Sequence, residues 1–79
     1  MNDDSINKLK EIFVAVFELS PDVDVTQARQ MNTPKWDSLA TVSLTAAIES
    51  EFGINIGIEE ALRLSSYQAT LLFLEEKIK

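Results

Sequence analysis

Residues 36–54, WDSLATVSLTAAIESEFGI, predict a helix that starts at Asp37 or Ser38 and ends at Phe52. Asp37 is a favourable N-cap because its carboxylate can accept a hydrogen bond from an unpaired first-turn amide. Trp36, just before it, is placed to act as a hydrophobic staple. Gly53 can adopt the left-handed conformation that commonly follows the last helical residue. This segment therefore contains both the start signal and the stop signal of one helix.

The predicted helix has two apolar faces at about 100° per residue. The first is a core stripe with two threonines beside it, formed by Leu44, Ile48, Phe52, Thr41 and Thr45. Leu39, Val42 and Ala46 form a second cluster, centred about 150° away. A small bundle cannot easily bury both faces, so we interpret the second as an exposed partner-binding surface. The alternatives are that the preceding loop covers it, or that these are scattered surface residues without a function.

Upstream, apolar residues at helical spacing predict a first helix from about Asp4 to Leu19. Asp3, Asp4 or Ser5 would cap its start, and Ser20-Pro21 would end it. Its predicted buried stripe comprises Ile6, Leu9, Phe13, Val16 and Phe17. Residues 20–35 are interpreted as a long loop with a short helical turn near residues 26–29. The apolar side chains expected to pack this loop are Val23, Val25 and Met31.

Downstream, Ile54 and Ile56 are predicted to be buried by an ordered loop, because one short segment without a partner cannot form a sheet. A short third helix is expected from Ile58 to Leu64. A last helix follows, with Ser65 as its cap and Gln68 completing a capping box. Its predicted buried face comprises Tyr67, Leu71, Leu74 and Ile78. The pattern predicts one all-α domain over residues 1–79, a small four-helix bundle with three longer helices, one short helix and a long first loop.

The composition narrows the classes of function. The 79 residues include 13 acidic and 7 basic residues, giving a net charge of −6, and they contain no cysteine or histidine. This charge disfavours nucleic-acid binding and would steer the protein toward basic patches on partners. Disulfides and the usual zinc ligands are excluded. The acidic N-terminus lacks the apolar run of a signal peptide, and no stretch is apolar enough to span a membrane, so we expect a cytoplasmic protein.

Ser38 is the residue with the most distinctive chemistry. At a helix N-terminus, unpaired amides and the helix dipole would stabilise a phosphate on its hydroxyl. Read alone, however, a serine at this position is usually only a cap. A nucleophilic role would need a base, and the chain offers no histidine and only Lys35 nearby. Asp22 and Asp24 lack the glycine and terminal glutamate of an EF-hand and are interpreted as loop and cap residues.

The sequence resembles the acyl carrier protein family. Residues 36–44 match its Asp-Ser-Leu attachment motif, and residues 47–54 match the Glu-x-Glu-Phe ending of its second helix. The resemblance extends over essentially the whole chain. It implies that a separate phosphopantetheinyl transferase attaches 4′-phosphopantetheine from coenzyme A to Ser38 through a phosphodiester, with Asp37 and Leu39 beside the attachment point. It further implies a monomer that is not itself catalytic.

In this family the terminal thiol of the arm holds acyl or aminoacyl groups as thioesters. The expected partners are the phosphopantetheinyl transferase, an acyl-loading ligase or transferase and synthase enzymes, as in fatty acid or polyketide biosynthesis. The resemblance also implies a transient apolar cavity between helices. We expect the partner surface to comprise Trp36, Leu39, Val42, Ala46 and Glu49.

The chain departs from the pattern of fatty-acid-synthesis carriers at several positions. Trp36 is bulky where a small residue is common, and three uncharged residues stand where acids often occur, namely Ala40, Ser43 and Ser50. Only Glu49 and Glu51 keep the charge. Docking is therefore expected to depend less on charge and more on Leu39, Val42 and Trp36. Residues 33–39 look more like those of discrete carriers for secondary metabolites or surface sugars.

Overall fold

The computed structural model describes residues 2–78, which form four α-helices. Helix α1 spans Asp3–Phe17, α2 spans Ser38–Phe52, α3 spans Ile58–Ala61 and α4 spans Tyr67–Ile78. Two single turns of 3₁₀ helix, Val25–Gln27 and Gln30–Asn32, lie in the segment between α1 and α2, here called the first loop. The predicted all-α bundle with three longer helices, one short helix and a long first loop is confirmed.

The start of α1 differs from the prediction. Asn2 is its N-cap, and the Asn2 Oδ1 atom accepts a hydrogen bond from the Ser5 amide at 2.9 Å. The prediction that Asp3, Asp4 or Ser5 caps this helix is wrong, because all three already lie in its first turn. Their two carboxylates there still favour the helix, since the N-terminal end of the dipole is positive.

The end of α1 lies two residues before the predicted Leu19. Glu18 adopts a left-handed backbone conformation with φ of 52°, which stops the helix before Ser20-Pro21 is reached. Leu19 then turns back and packs against the core, half-buried. The predicted stripe is confirmed for three members, since Leu9, Phe13 and Phe17 are buried. The other two, Ile6 and Val16, are half-buried.

Four aromatic side chains form the centre of the core. The Trp36 ring stacks on the Phe17 ring with 4.2 Å between centroids. Phe13 meets Trp36 edge-on at 5.6 Å and Tyr67 edge-on at 5.3 Å. Such pairs stabilise a fold beyond the area they bury. The cluster joins α1, the end of the first loop and α4, so the segment before α2 is fixed by the core.

The first loop packs through other residues than those predicted. Val25 is half-buried, but Val23 is 43% exposed and Met31 is 94% exposed. The prediction of burial is therefore wrong for Val23 and Met31. Val23 lies in a bend before the first 3₁₀ turn, and the second 3₁₀ turn directs Met31 outward. The residues that the loop does bury are Ala28, Thr33 and Trp36. The predicted helical turn is present one residue early, at Val25–Gln27, and the turn at Gln30–Asn32 was not predicted.

Hydrogen bonds fix the first loop to the start of α4. The Tyr67 amide donates to the Ala28 carbonyl at 2.9 Å, and the Gln68 Nε2 atom donates to the Thr26 carbonyl at 3.1 Å. The predicted capping box is wrong, because Gln68 makes this long-range contact instead of reaching back. Ser66, not Ser65, caps the helix, and its Oγ atom accepts from the Ala69 amide at 3.0 Å.

The remaining predictions concern the segments around α3 and α4. Ile56 is buried in an ordered loop, as predicted, whereas Ile54 is only half-buried. Helix α3 ends at Ala61 rather than at Leu64, since a tight turn brings Leu64 back into the core. On α4 the predicted face is rotated toward Thr70 and Phe73. Tyr67, Thr70, Phe73 and Leu74 are buried, Leu71 is half-buried and Ile78 is exposed.

Candidate functional site

Ser38 is exposed at the first position of α2. The cap of this helix is Asp37, whose Oδ1 atom accepts from the Ala40 amide at 2.8 Å. The Asp37 carbonyl also accepts from the Thr41 amide at 2.9 Å and from the Thr41 hydroxyl at 3.0 Å. The prediction that Asp37 caps α2 is thus confirmed. Because Asp37 occupies the N-cap position, a capping role does not explain the serine at position 38.

A groove of about 470 Å³ opens beside Ser38, between α2 and the segment containing α3. The α2 wall presents a polar column at every fourth position, formed by Thr41, Thr45 and Glu49. The hydroxyls of both threonines donate to helix carbonyls, so their donors are already satisfied. The rest of the lining is mainly apolar and includes Trp36, Val42, Ala46, Ile56, Ile58, Ala61, Leu62 and Leu64. The exposed Ser38 hydroxyl therefore lies beside a largely apolar groove.

Sequence comparison finds relatives of this chain among known proteins. No family model matches the chain. The chain is 34% identical over 76 residues to an acyl carrier protein of Petrotoga mobilis, with 96% of this chain and 89% of that protein covered. It is 35% identical over 79 residues to an acyl carrier protein of Thermosynechococcus vestitus, with 99% of this chain and 98% of that protein covered.

The chain belongs to the acyl carrier protein family. A third relative, an acyl carrier protein of Bdellovibrio bacteriovorus, is 35% identical over 72 residues, covering 91% of this chain and 92% of its own. The predicted resemblance is therefore confirmed. Within residues 2–78, no helix is long and apolar enough to cross a membrane.

In this family member the second apolar face of α2 is exposed, as predicted. Leu39 is 79% exposed and Val42 is 67% exposed, while Ala46 is also exposed. The first loop does not cover them, because it packs instead against α1 and α4. The core stripe is confirmed for Leu44 and Ile48, which are fully buried, whereas Phe52 is half-buried.

Trp36 differs from its predicted place on the partner surface. Its side chain is only 5% exposed because the ring stacks on Phe17, so it belongs to the core and reaches the groove only as part of its lining. The staple prediction is not supported either, since the ring contacts that fix Trp36 are with α1. A sequence pattern cannot show which helix such a ring will contact.

The two acids that the second helix retains both have internal partners. The Glu49 Oε2 atom accepts from the Ile56 amide at 2.8 Å, which ties α2 to the loop before α3. The Glu51 Oε1 atom lies 3.2 Å from the Lys8 Nζ atom of α1. The half-buried Glu49 carboxylate holds the fold of this loop, and the contact of Glu49 with partners stays a prediction.

The other polar residues considered from the sequence have local roles. The Lys35 Nζ atom lies 3.4 Å from the Glu18 Oε2 atom, an exposed ion pair directed toward α1. Asp24 caps the first 3₁₀ turn by accepting from the Thr26 amide at 3.0 Å and from the Thr26 hydroxyl. These hydrogen bonds lower the pKa of Asp24. Among residues 2–78, no group of acidic side chains is arranged to hold a metal ion.

Two residues of the site were missed by sequence reasoning. Ile58 and Leu62 line the groove, yet they are 86% and 77% exposed. Their spacing of four residues, in a short segment between Gly57 and the buried Leu64, is the pattern of a helix face. From the sequence, only a short helix is predicted for this segment, and no face is assigned to these two residues.

Proposed function

We propose that this protein carries acyl or aminoacyl groups as thioesters on a 4′-phosphopantetheine arm attached to Ser38, and delivers them to separate biosynthetic enzymes. The observation that carries the proposal is that the Ser38 side chain is exposed and lines the groove. Ser38 does not cap α2, because Asp37 does. Membership of the acyl carrier protein family supports the same role. When bound, the arm supplies the thiol that this cysteine-free chain lacks.

The residues around Ser38 fit such a group. The first turn of α2 directs unpaired backbone amides and the positive end of the dipole toward an anion on the serine. Within α2 no acidic side chain lies before Glu49, and the carboxylate nearest to Ser38 in the sequence is that of the N-cap Asp37, whose Oδ1 atom accepts from the Ala40 amide. The groove beside it offers apolar walls to an acyl chain and threonine oxygens that can accept hydrogen bonds from amides.

Ser38 acts as the acceptor and not as a catalyst in this proposal. The chain contains no histidine, the usual base that activates a serine hydroxyl, so deprotonation falls to the modifying enzyme. A phosphopantetheinyl transferase, an acyl-loading ligase or transferase and synthase enzymes are the proposed partners. Leu39 and Val42 flank the serine on the exposed face and are proposed to contact them.

Intact-mass spectrometry tests the attachment. Incubation with coenzyme A and a broad-specificity phosphopantetheinyl transferase is expected to add one phosphopantetheine to the wild-type protein and none to Ser38→Ala. Ser43→Ala is the matched control, because Ser43 is an exposed serine of the same helix and should leave modification intact. An unchanged wild-type mass with several transferases, or a modified Ser38→Ala, would refute the proposal.

The protein purified from its host gives a second test. A carrier should be found with the arm, and its intact mass would also report the group attached. A protein that remains unmodified in a host with an active transferase would instead be an interaction module that keeps this fold. Rapid labelling of Ser38 by a fluorophosphonate would point to hydrolase chemistry, which we do not expect.

The exposed face of α2 is tested with Leu39→Glu and Val42→Glu. Both side chains are largely in water, so the substitutions should leave thermal unfolding nearly unchanged and slow modification of Ser38. Variants that fold and are modified at the wild-type rate would show that these residues do not contact the transferase. Loss of folding would show that they belong to the core.

A further inference from the structure

Five large exposed apolar side chains line the groove or are next in the sequence to a residue that lines it, and we call this set the apolar rim. Its members with their exposed fractions are Met31 (94%), Leu39 (79%), Val42 (67%), Ile58 (86%) and Leu62 (77%). Val42, Ile58 and Leu62 line the groove, Leu39 follows Ser38, and Met31 follows Gln30, which also lines it. The other large exposed apolar residues are less accessible: Leu72 is 62% exposed, and Val14, Val23 and Ile78 are 41–43% exposed. Exposed apolar area is thus concentrated around the attachment serine.

Charged side chains are scarce on α2 near Ser38, where exposed apolar side chains are frequent. The eleven residues of α2 from Ser38 to Ile48 include no charged side chain. Glu49 and Glu51, which follow, are held by the Ile56 amide and Lys8 as described. On α3, the Glu60 carboxylate accepts from the Gly57 amide at 3.0 Å and lies 3.0 Å from the Lys77 Nζ atom. Between its N-cap Asp37 and Glu49, α2 therefore presents no carboxylate to a partner that approaches Ser38 along this helix.

We propose that the enzymes acting on Ser38 dock on the apolar rim through an apolar and uncharged surface of their own, and not through a basic patch. This inference rests on the proposed function, because the attachment site brings the partner to the rim. A basic patch would lose its hydration and find no unpaired α2 carboxylate, whereas an apolar surface would bury the rim. A second copy of the chain is the alternative occupant, and sedimentation tests it.

Two phosphopantetheinyl transferases of known structure serve as probes, one with an apolar docking surface and one with a basic docking surface. For modification of the wild-type protein, we expect the enzyme with the apolar docking surface to have a kcat/KM about tenfold higher than the enzyme with the basic docking surface. The rate of the apolar enzyme should change less than about twofold between about 50 mM and about 500 mM salt. A preference for the basic enzyme with a rate that falls steeply with salt would overturn the proposal.

Variants connect the result to the rim. Ile58→Glu and Leu62→Glu should lower kcat/KM for the apolar enzyme about tenfold or more, whereas Leu72→Glu, an exposed leucine of α4 outside the rim, should stay within about twofold of wild type. The double variant Ser43→Glu/Ser50→Glu adds two acids to exposed positions of α2 and should raise the rate of the basic enzyme at low salt. Equal rates for the Leu62→Glu and Leu72→Glu variants would contradict the proposal.

Two further outcomes separate this inference from the function on which it rests. If neither transferase modifies the wild-type protein, the carrier function itself fails, and the inference fails with it. If both transferases modify Ser38 but the rim variants behave as the control does, only the docking inference fails. Sedimentation of a wild-type dimer that becomes a monomer in Leu62→Glu would assign the rim to self-association and overturn the proposal.

Discussion

Replacement of Trp36 by alanine tests the place of this ring in the core. Trp36 is 5% exposed and contacts Phe13 and Phe17 through its ring. Truncation of a buried tryptophan costs about 3–5 kcal/mol, and loss of the two ring pairs favours the upper part of that range. Leu39, three positions along the chain, is 79% exposed, so Leu39→Ala should change stability by less than about 0.5 kcal/mol.

Urea unfolding followed by far-UV circular dichroism measures both variants. With a slope of about 1 kcal/mol per molar urea for so small a domain, Trp36→Ala should lower the midpoint by about 3 M or more. Such a loss is a large part of the roughly 5–15 kcal/mol that stabilises a typical domain, so this variant can be unfolded without urea. Trp36→Phe, which retains an aromatic ring against Phe17, should fold and lose less.

The fluorescence of the single tryptophan gives an independent reading. The buried ring of the wild-type protein should emit at shorter wavelength than in urea, and the change should follow the circular dichroism transition. If Trp36→Ala unfolds within about 0.5 kcal/mol of wild type, as an exposed residue would, the core assignment is wrong. The sequence-based expectation that Trp36 belongs to the partner surface would then be restored.

Three further perturbations follow from contacts in the fold. Ile48→Ala should cost about 2–5 kcal/mol and Phe52→Ala less than Ile48→Ala, because Ile48 is fully buried and Phe52 is half-exposed; equal urea midpoints would contradict this. Glu49→Ala should cost about 1–3 kcal/mol by removing the acceptor of a loop amide, whereas Glu49→Gln keeps an acceptor and should unfold near the wild-type midpoint. The Gly57 amide and then a nearby lysine lower the pKa of Glu60 below its ordinary value of 4.5. This stabilisation is present above that value and is lost as the pH falls through the folded pKa, so Glu60→Gln should weaken the acid dependence of unfolding measured by circular dichroism below pH 4.5.

The predictions that the structure confirms concern interactions over a few residues. Asp37 caps α2 and Gly53 ends it because each contact involves backbone groups within four positions, and the residue types at those positions are sufficient to specify it. The exposed Leu39 and Val42 followed from helical spacing together with the small size of the bundle. The same reasoning failed at α1, where Asn2 competes with three neighbouring residues of similar capping ability.

The predictions that failed depend on contacts between distant segments. Gln68 has a suitable position for a capping box, but the carbonyl of Thr26 becomes available only when the first loop packs beside α4. Met31 has the composition of a core residue, yet the turn at Gln30–Asn32 directs it into water. Side-chain type gives the preference for burial, while the path of the backbone decides whether that preference can be met.

The sequence by itself determined the helical class, the limits of α2 and the importance of Ser38, because these depend on periodicity, local capping and a motif contained in one segment. Only the tertiary structure decided that Trp36 lies in the core and that Glu49 holds the loop before α3, since each needs a partner from another element. It also brought Ile58 and Leu62 beside α2 to form the groove. Neither segment alone specifies a surface made by two helices, because the groove between them arises only from their packing.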